Sequence, residues 1–143
     1  MSKNSECLFC RIVSREVDAP MVFEDAISFA FLDHRPLFHG HTLLVPKEHF
    51  ETLHDLPTKL VGPFFQNVQM LSGAVKRAMN AEGTFVAMNN TVSQSVPHLH
   101  VHVVPRKKKD GLKGFFWPRY KYESDKELET VQRLIVAALN NSE

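Results

Sequence analysis

The chain has 143 residues, 43% of them hydrophobic, and a formal net charge of +1 at pH 7. The length is most simply one domain, 1–143, and the composition is that of a protein with a packed core. Near-neutral charge argues against a nucleic-acid partner, and the polar start Met1-Ser-Lys-Asn-Ser-Glu6 is followed by no apolar run of signal-peptide or membrane-span length, so a cytoplasmic protein without a membrane partner is expected.

Cys7 and Cys10 are the only two cysteines. Only three apart, they close no long loop, and reduced thiols are the default. A C-x-x-C pair is half of a zinc site, a redox pair, or two small buried residues. A thioredoxin-like redox site needs a preceding strand, and none fits before residue 7. Zinc needs two further ligands from elsewhere. Residues 22–24 and 27–32 read as short strands around Asp25-Ala26. Asp33 leads into a loop ending at Gly40; it suits turn chemistry, or a carboxylate for the vicinal hydroxyls of a sugar. Residues 41–46 form the next strand, closed by Pro46 and bracketed by His41 and His49.

Asp55-Leu-Pro57 reads as a helix start. Val61, Phe64, Phe65, Val68, Leu71, Val75, Ala78 and Met79 then recur at helical spacing, which makes a core stripe, and Gly83 is the expected C′ residue. Residues 84–89 read as a strand feeding the polar loop 90–95, whose Gln94, Ser95 and backbone N–H groups are suited to an oxyanion. From Arg106 to Lys121 there are seven bases against the single acid Asp110. This run is a solvated loop by default, and its Phe115-Phe-Trp117 either packs ordinarily, covers a pocket or stacks on a base. Ser124-Asp-Lys-Glu127 is a capping box opening a C-terminal amphipathic helix.

The centre of the pattern is His98-Leu-His-Val-His-Val-Val104. Imidazole and aliphatic residues alternate with the period of a strand, so three histidines share one face and Leu99, Val101 and Val103 the other. Same-face neighbours on a strand are about 6.6–6.8 Å apart, placing the outer two histidines about 13 Å apart. One ion with bonds of about 2.0–2.1 Å cannot easily hold all three. At least one imidazole is left for other work, and imidazole is a competent nucleophile near neutral pH.

This stretch resembles the signature of the histidine-triad (HIT) family of nucleotide hydrolases and transferases, and of its Hint-like bacterial branch in particular. Cys7-x-x-Cys10, Phe31-Leu-Asp33, Gly40-His41, Leu43-Leu-Val-Pro46, His49 and Gln94-Ser95 fall in the family's order. The resemblance implies an α+β fold with about five antiparallel strands, one long central helix and a C-terminal helix, with residues 1–105 as the core, assembled as a homodimer. It implies a purine nucleoside phosphoramidate or dinucleoside polyphosphate as substrate, with His100 as nucleophile at the α-phosphorus and His102 and His98 completing the catalytic set. Asp33, His41, Asn89, Asn90, Gln94 and Ser95 would bind substrate. Cys7, Cys10, His49 and His98 would hold a structural zinc, a closed Cys₂His₂ set. Ser93 stands where relatives carry glycine in a longer loop. Two other readings remain: a nucleotide-binding regulatory module with little turnover, and a hydrolase using His-x-His as catalytic metal ligands.

Overall fold

The computed structural model describes residues 4–112 and 119–141. The chain forms two compact units, Met1–Asp110 and Gly111–Glu143. In the first, α1 (Leu8–Val13) precedes the strands β1 (Met21–Glu24), β2 (Ser28–Leu32) and β3 (Thr42–Pro46). A 3₁₀ turn (Leu53–Asp55), the long helix α2 (Thr58–Ala78), β4 (Gly83–Ala87) and β5 (Val101–Arg106) follow. The sheet is antiparallel in the order β1-β2-β3-β5-β4. The second unit contains α3 (Asp125–Asn140), where half of the expected box forms: the Glu127 N–H donates to the Ser124 hydroxyl at 3.1 Å, while the Glu127 carboxylate accepts the Glu123 N–H at 2.7 Å in place of that of Ser124. None of the described helices is long and apolar enough to cross a membrane. Phe115, Phe116 and Trp117 lie outside the described residues, so the expectations about them end with the sequence.

The sheet has a helix on each face, and period-two alternation sorts the side chains between them. Ala30, Leu44, Leu99, Val101 and Val103 meet Phe64, Val68, Leu71 and Val75 of α2 in one core cluster. Phe29, Phe31, Leu43 and Val45 meet Cys7, Phe9, Cys10 and Ile12 around α1 in the other. Leu43 pairs with His102 across β3 and β5, and directly paired residues share a face. The imidazoles therefore belong to the α1 side, and the aliphatic residues between them to the α2 side.

Several local expectations are corrected. The ladder of β5 begins at Val101, not His98: the Leu99 N–H donates to the Phe50 carbonyl at 2.7 Å, outside β3, so the first histidines run beside the sheet before joining it. Asp55 does not cap α2; its carboxylate closes a capping box with Thr52 around the 3₁₀ turn, and Pro57 stands at the start of α2. The C′ residue of α2 is Asn80, at φ 49°, not Gly83, which opens β4. The Ala81 N–H reaches the Lys76 carbonyl at 2.9 Å and the Asn80 N–H that of Arg77 at 3.2 Å, the paired bonds of a Schellman ending. Helix α1, six residues long, was not foreseen.

Candidate active site and metal cluster

Cys7 is the N-cap residue of α1 and Cys10 lies in its first turn. Both are buried. The Cys7 and Cys10 sulfurs are 3.4 and 3.5 Å from His98 Nδ1. His49, in the loop after β3, brings its Nδ1 to 3.3 Å from Cys10 Sγ and 3.2 Å from His98 Nδ1. A tetrahedral zinc with bonds of about 2.0–2.3 Å sets neighbouring ligand atoms about 3.3–3.8 Å apart. Four of the six separations are thus close to the edges of a coordination tetrahedron, and all lie within 4.8 Å. The donor chemistry agrees. His98 Nε2–H donates to the Pro46 carbonyl at 2.8 Å, a group that can only accept. In the neutral ring this leaves Nδ1 bare toward the sulfurs.

The other rings are fixed in the same way by their partners. Burial pushes His98 and His102 down to about 4 and holds His41 and His100 below the ordinary histidine value, so all four are neutral at pH 7. His100 Nδ1–H donates to the His98 carbonyl at 2.8 Å, leaving Nε2 with its lone pair. No fully buried side-chain nitrogen or oxygen among the described residues lacks a partner, so Nε2 meets the opening through which 3% of His100 is exposed. The Leu37 N–H donates to His41 Nδ1 at 3.0 Å. His41 Nε2 therefore carries that ring's proton and donates it to His102 Nδ1, also at 3.0 Å. His102 is left with its proton on Nε2. A bare nitrogen on His100 thus stands beside a donor on His102, with ring centroids 5.1 Å apart.

Asp33, His41 and His102 also place ligand-type atoms within 4.8 Å of one another. They do not suit a metal, because the Leu37 N–H commits His41 to the tautomer whose Nε2 holds a proton. Asp33 takes the turn role. Its Oδ1 accepts the Arg35 N–H at 2.9 Å, as a turn residue does, while Oδ2 faces His41 Nε2 at 3.7 Å.

In the loop before the histidines, Asn90 Oδ1 accepts the Leu53 N–H at 2.7 Å and clips the 3₁₀ turn. Asn89 is exposed and donates to the Ser93 carbonyl at 3.2 Å. Gln94 is a latch: Nε2 donates to the Glu51 carbonyl at 2.6 Å and Oε1 accepts the Thr91 N–H at 2.9 Å. Ser95 is exposed. Ser93 takes φ 61°, the left-handed region where glycine belongs. Ser93→Gly should stabilise the protein by about 1 kcal/mol, the relief of left-handed strain less the added freedom of the unfolded chain; urea unfolding of the two proteins checks it.

One participant was missed. Phe9, inside the C-x-x-C pair, sets its ring edge-on to His100 with centroids 5.0 Å apart. No periodicity announces this in a six-residue helix; its position between the cysteines was the available signal.

The low His102 value has a consequence for stability. Between pH 6.5 and about 4 the unfolded chain binds a proton there that the folded protein refuses. Stability is then complete above pH 6.5 and declines as pH falls through this window, by roughly 3 kcal/mol for His102 alone. Thermal unfolding from pH 7.5 to 4.5 should show the decline, and His102→Gln should make it shallower, the share of the other buried histidines remaining.

A HIT domain family model matches residues 14–109. Adenylylsulfatase HINT3 of Arabidopsis thaliana is 34% identical over 110 residues, 76% of this chain and 56% of its own length. Adenosine 5'-monophosphoramidase HNT1 of Saccharomyces cerevisiae is 31% identical over 98% of this chain and 87% of its own. The crystal structure of a Zn-bound histidine triad family protein from Mycobacterium smegmatis superposes with a TM-score of 0.71 at 33% identity, covering 96% of this chain and 98% of that one. With the sheet order, the triad and the matched span in agreement, the chain belongs to the HIT domain family.

Proposed function

We propose that the protein is a nucleotide hydrolase that cleaves at the α-phosphate of purine nucleoside phosphoramidates or dinucleoside polyphosphates and releases a nucleoside monophosphate. The observation that carries this reading is the pairing of a bare His100 Nε2, set by the His98 carbonyl, with a His102 ring protonated on Nε2, set by His41, whose own tautomer the Leu37 N–H dictates. His100 Nε2 attacks the α-phosphorus, and the bond from phosphorus to the leaving group breaks as the bond to nitrogen forms. His102 Nε2–H stabilises the phosphoryl oxygens as charge builds, and a leaving amine takes this proton as it departs. Water then attacks the nucleotidyl-histidine and returns a proton to His102, the P–N bond to His100 breaks, and the nucleoside monophosphate leaves. Asp33 and Asn89 take the ribose hydroxyls in this scheme, and Ser95 with the loop amides takes the phosphate. The activities for which HINT3 and HNT1 are named, on an adenylyl sulfate and an adenosine phosphoramidate, support the class.

Cys7, Cys10, His49 and His98 would hold zinc, which cross-links α1, the β3 loop and the approach to β5; with four protein ligands it activates no water. The test of the central reading is intact-mass analysis after mixing enzyme with adenosine phosphoramidate and quenching within one turnover. One added adenylyl group is expected; release of AMP without any adduct at any time would overturn the covalent scheme.

The assembly follows the same reading. Strand β4 is an edge of the sheet, and Val86 on it is 42% exposed. An uncovered apolar edge is a template for pairing, and a two-fold mate is its natural occupant. Light scattering should give twice 16.3 kDa, and Val86→Lys should shift the protein toward monomer.

A further inference from the structure

His98 belongs to two arrangements at once. Its ring faces the sulfurs of Cys7 and Cys10, and its carbonyl accepts the Nδ1–H of His100. Helix α1 likewise meets both. Its cysteines enter the cluster, while Phe9 between them, 5% exposed, stands against both rings: 5.0 Å from His100 at 83°, and 6.0 Å from His98 at 72°. Phe31 backs Phe9 from the sheet at 5.4 Å, so the Phe9 ring is held from behind.

A single hydrogen bond at Nδ1 does not fix an imidazole plane, because the outer torsion of histidine is broad. A near-perpendicular aromatic contact does, since the ring quadrupoles favour edge-to-face geometry. His100 is thus clamped at Nδ1 by the main chain of a cluster residue and across its face by a side chain seated between two others. Anything that loosens α1 loosens both holds. Displacing a reacting atom by about 1 Å is worth about 100-fold in rate.

We propose that Phe9 is a positioning residue for His100, carrying the state of the Cys7/Cys10/His49/His98 cluster to the nucleophile. This rests on His100 being the attacking group.

The test compares full-length wild type, Phe9→Leu and Phe9→Met, each zinc-loaded and after chelation, at a temperature where circular dichroism shows every form folded. Steady-state kinetics on adenosine phosphoramidate are read beside NMR of ring-¹⁵N histidine. In zinc-loaded wild type the His100 Nδ1–H resonance is sharp. In either variant, and in metal-free wild type, it broadens, and kcat falls about 10- to 100-fold with KM within about twofold. Chelation after the Phe9 substitution then lowers kcat by a smaller factor than in wild type, because the Phe9 link is already cut and only the hold through the His98 carbonyl is left to loosen. A raised KM at unchanged kcat would make Phe9 a substrate contact and overturn the proposal. Independent, multiplying effects of substitution and chelation would overturn it too, as would a sharp His100 signal in all forms. If wild type turns over no substrate, or His100→Ala turns over as fast, the hydrolase reading fails separately, and the resonance alone decides whether Phe9 and the cluster hold the ring.

Discussion

His100→Ala will lower kcat on adenosine phosphoramidate by about 10⁴-fold or more and abolish the adenylyl adduct, while leaving AMP binding within a few-fold of wild type. Loss of a nucleophile removes a bond made only along the reaction path, so the effect belongs in kcat and not in ground-state affinity. His102→Ala should be milder, about 10²- to 10³-fold, because it removes one donor from the developing charge. It should also let His41 Nε2–H lose its acceptor. The double variant will be little worse than His100→Ala, since the pair acts as a unit. Calorimetry with AMP beside single-turnover kinetics measures both quantities. The regulatory-module reading predicts tight binding and equal, negligible turnover in wild type and variant, so equal rates with intact binding would reject the hydrolase.

The parts of this arrangement that were legible in the sequence are those written in side chains at regular spacing. Alternation put Leu99, Val101 and Val103 opposite the histidines, and the α2 core residues Phe64, Val68, Leu71 and Val75 follow the helical period. The N-cap at Ser124 was legible because its hydroxyl and the N–H it accepts lie three residues apart. The Cys7, Cys10, His49 and His98 cluster came from the family resemblance; spacing offered only half a metal site. The parts that stayed hidden depend on main-chain groups, which have no sequence identity. The carbonyls of Pro46 and His98 and the N–H of Leu37 decide three tautomers, yet any residue could supply them. Local signals with two uses were misassigned. Asp55 had a closer N–H to serve than those of α2, and Asn80 took the left-handed position before Gly83 was reached. The 98–100 stretch shows the limit of periodicity itself: it reports which way side chains face, not whether a strand partner is present to bond the backbone.

Removing the metal should lower the melting midpoint by about 10 °C or more. The reason lies in what the cluster becomes without a cation. His98 is completely buried and its Nε2–H is already given to Pro46, so its bare Nδ1 faces His49 Nδ1 at 3.2 Å, with two sulfurs completing the set. Polar groups that lose their counterpart in the core are costly, about 1–3 kcal/mol each and more when charged. A bound cation would also tie together segments distant in the chain, at residues 7–10, 49 and 98. A loss of about 3–5 kcal/mol is the expected order, and for a domain of this size each kcal/mol shifts the midpoint by about 4 °C. Calorimetry with and without a chelator, beside elemental analysis of the freshly purified protein, makes the measurement. Zinc near one per chain and a reversible drop on chelation are expected, and Cys10→Ala should reproduce the drop without a chelator. A catalytic His-x-His metal would behave differently: chelation would stop turnover while the midpoint stayed in place. Fresh protein without zinc, melting identically in chelator, would remove the cluster from the metal sites and leave the His98 ring to be explained by hydrogen bonds to thiols alone.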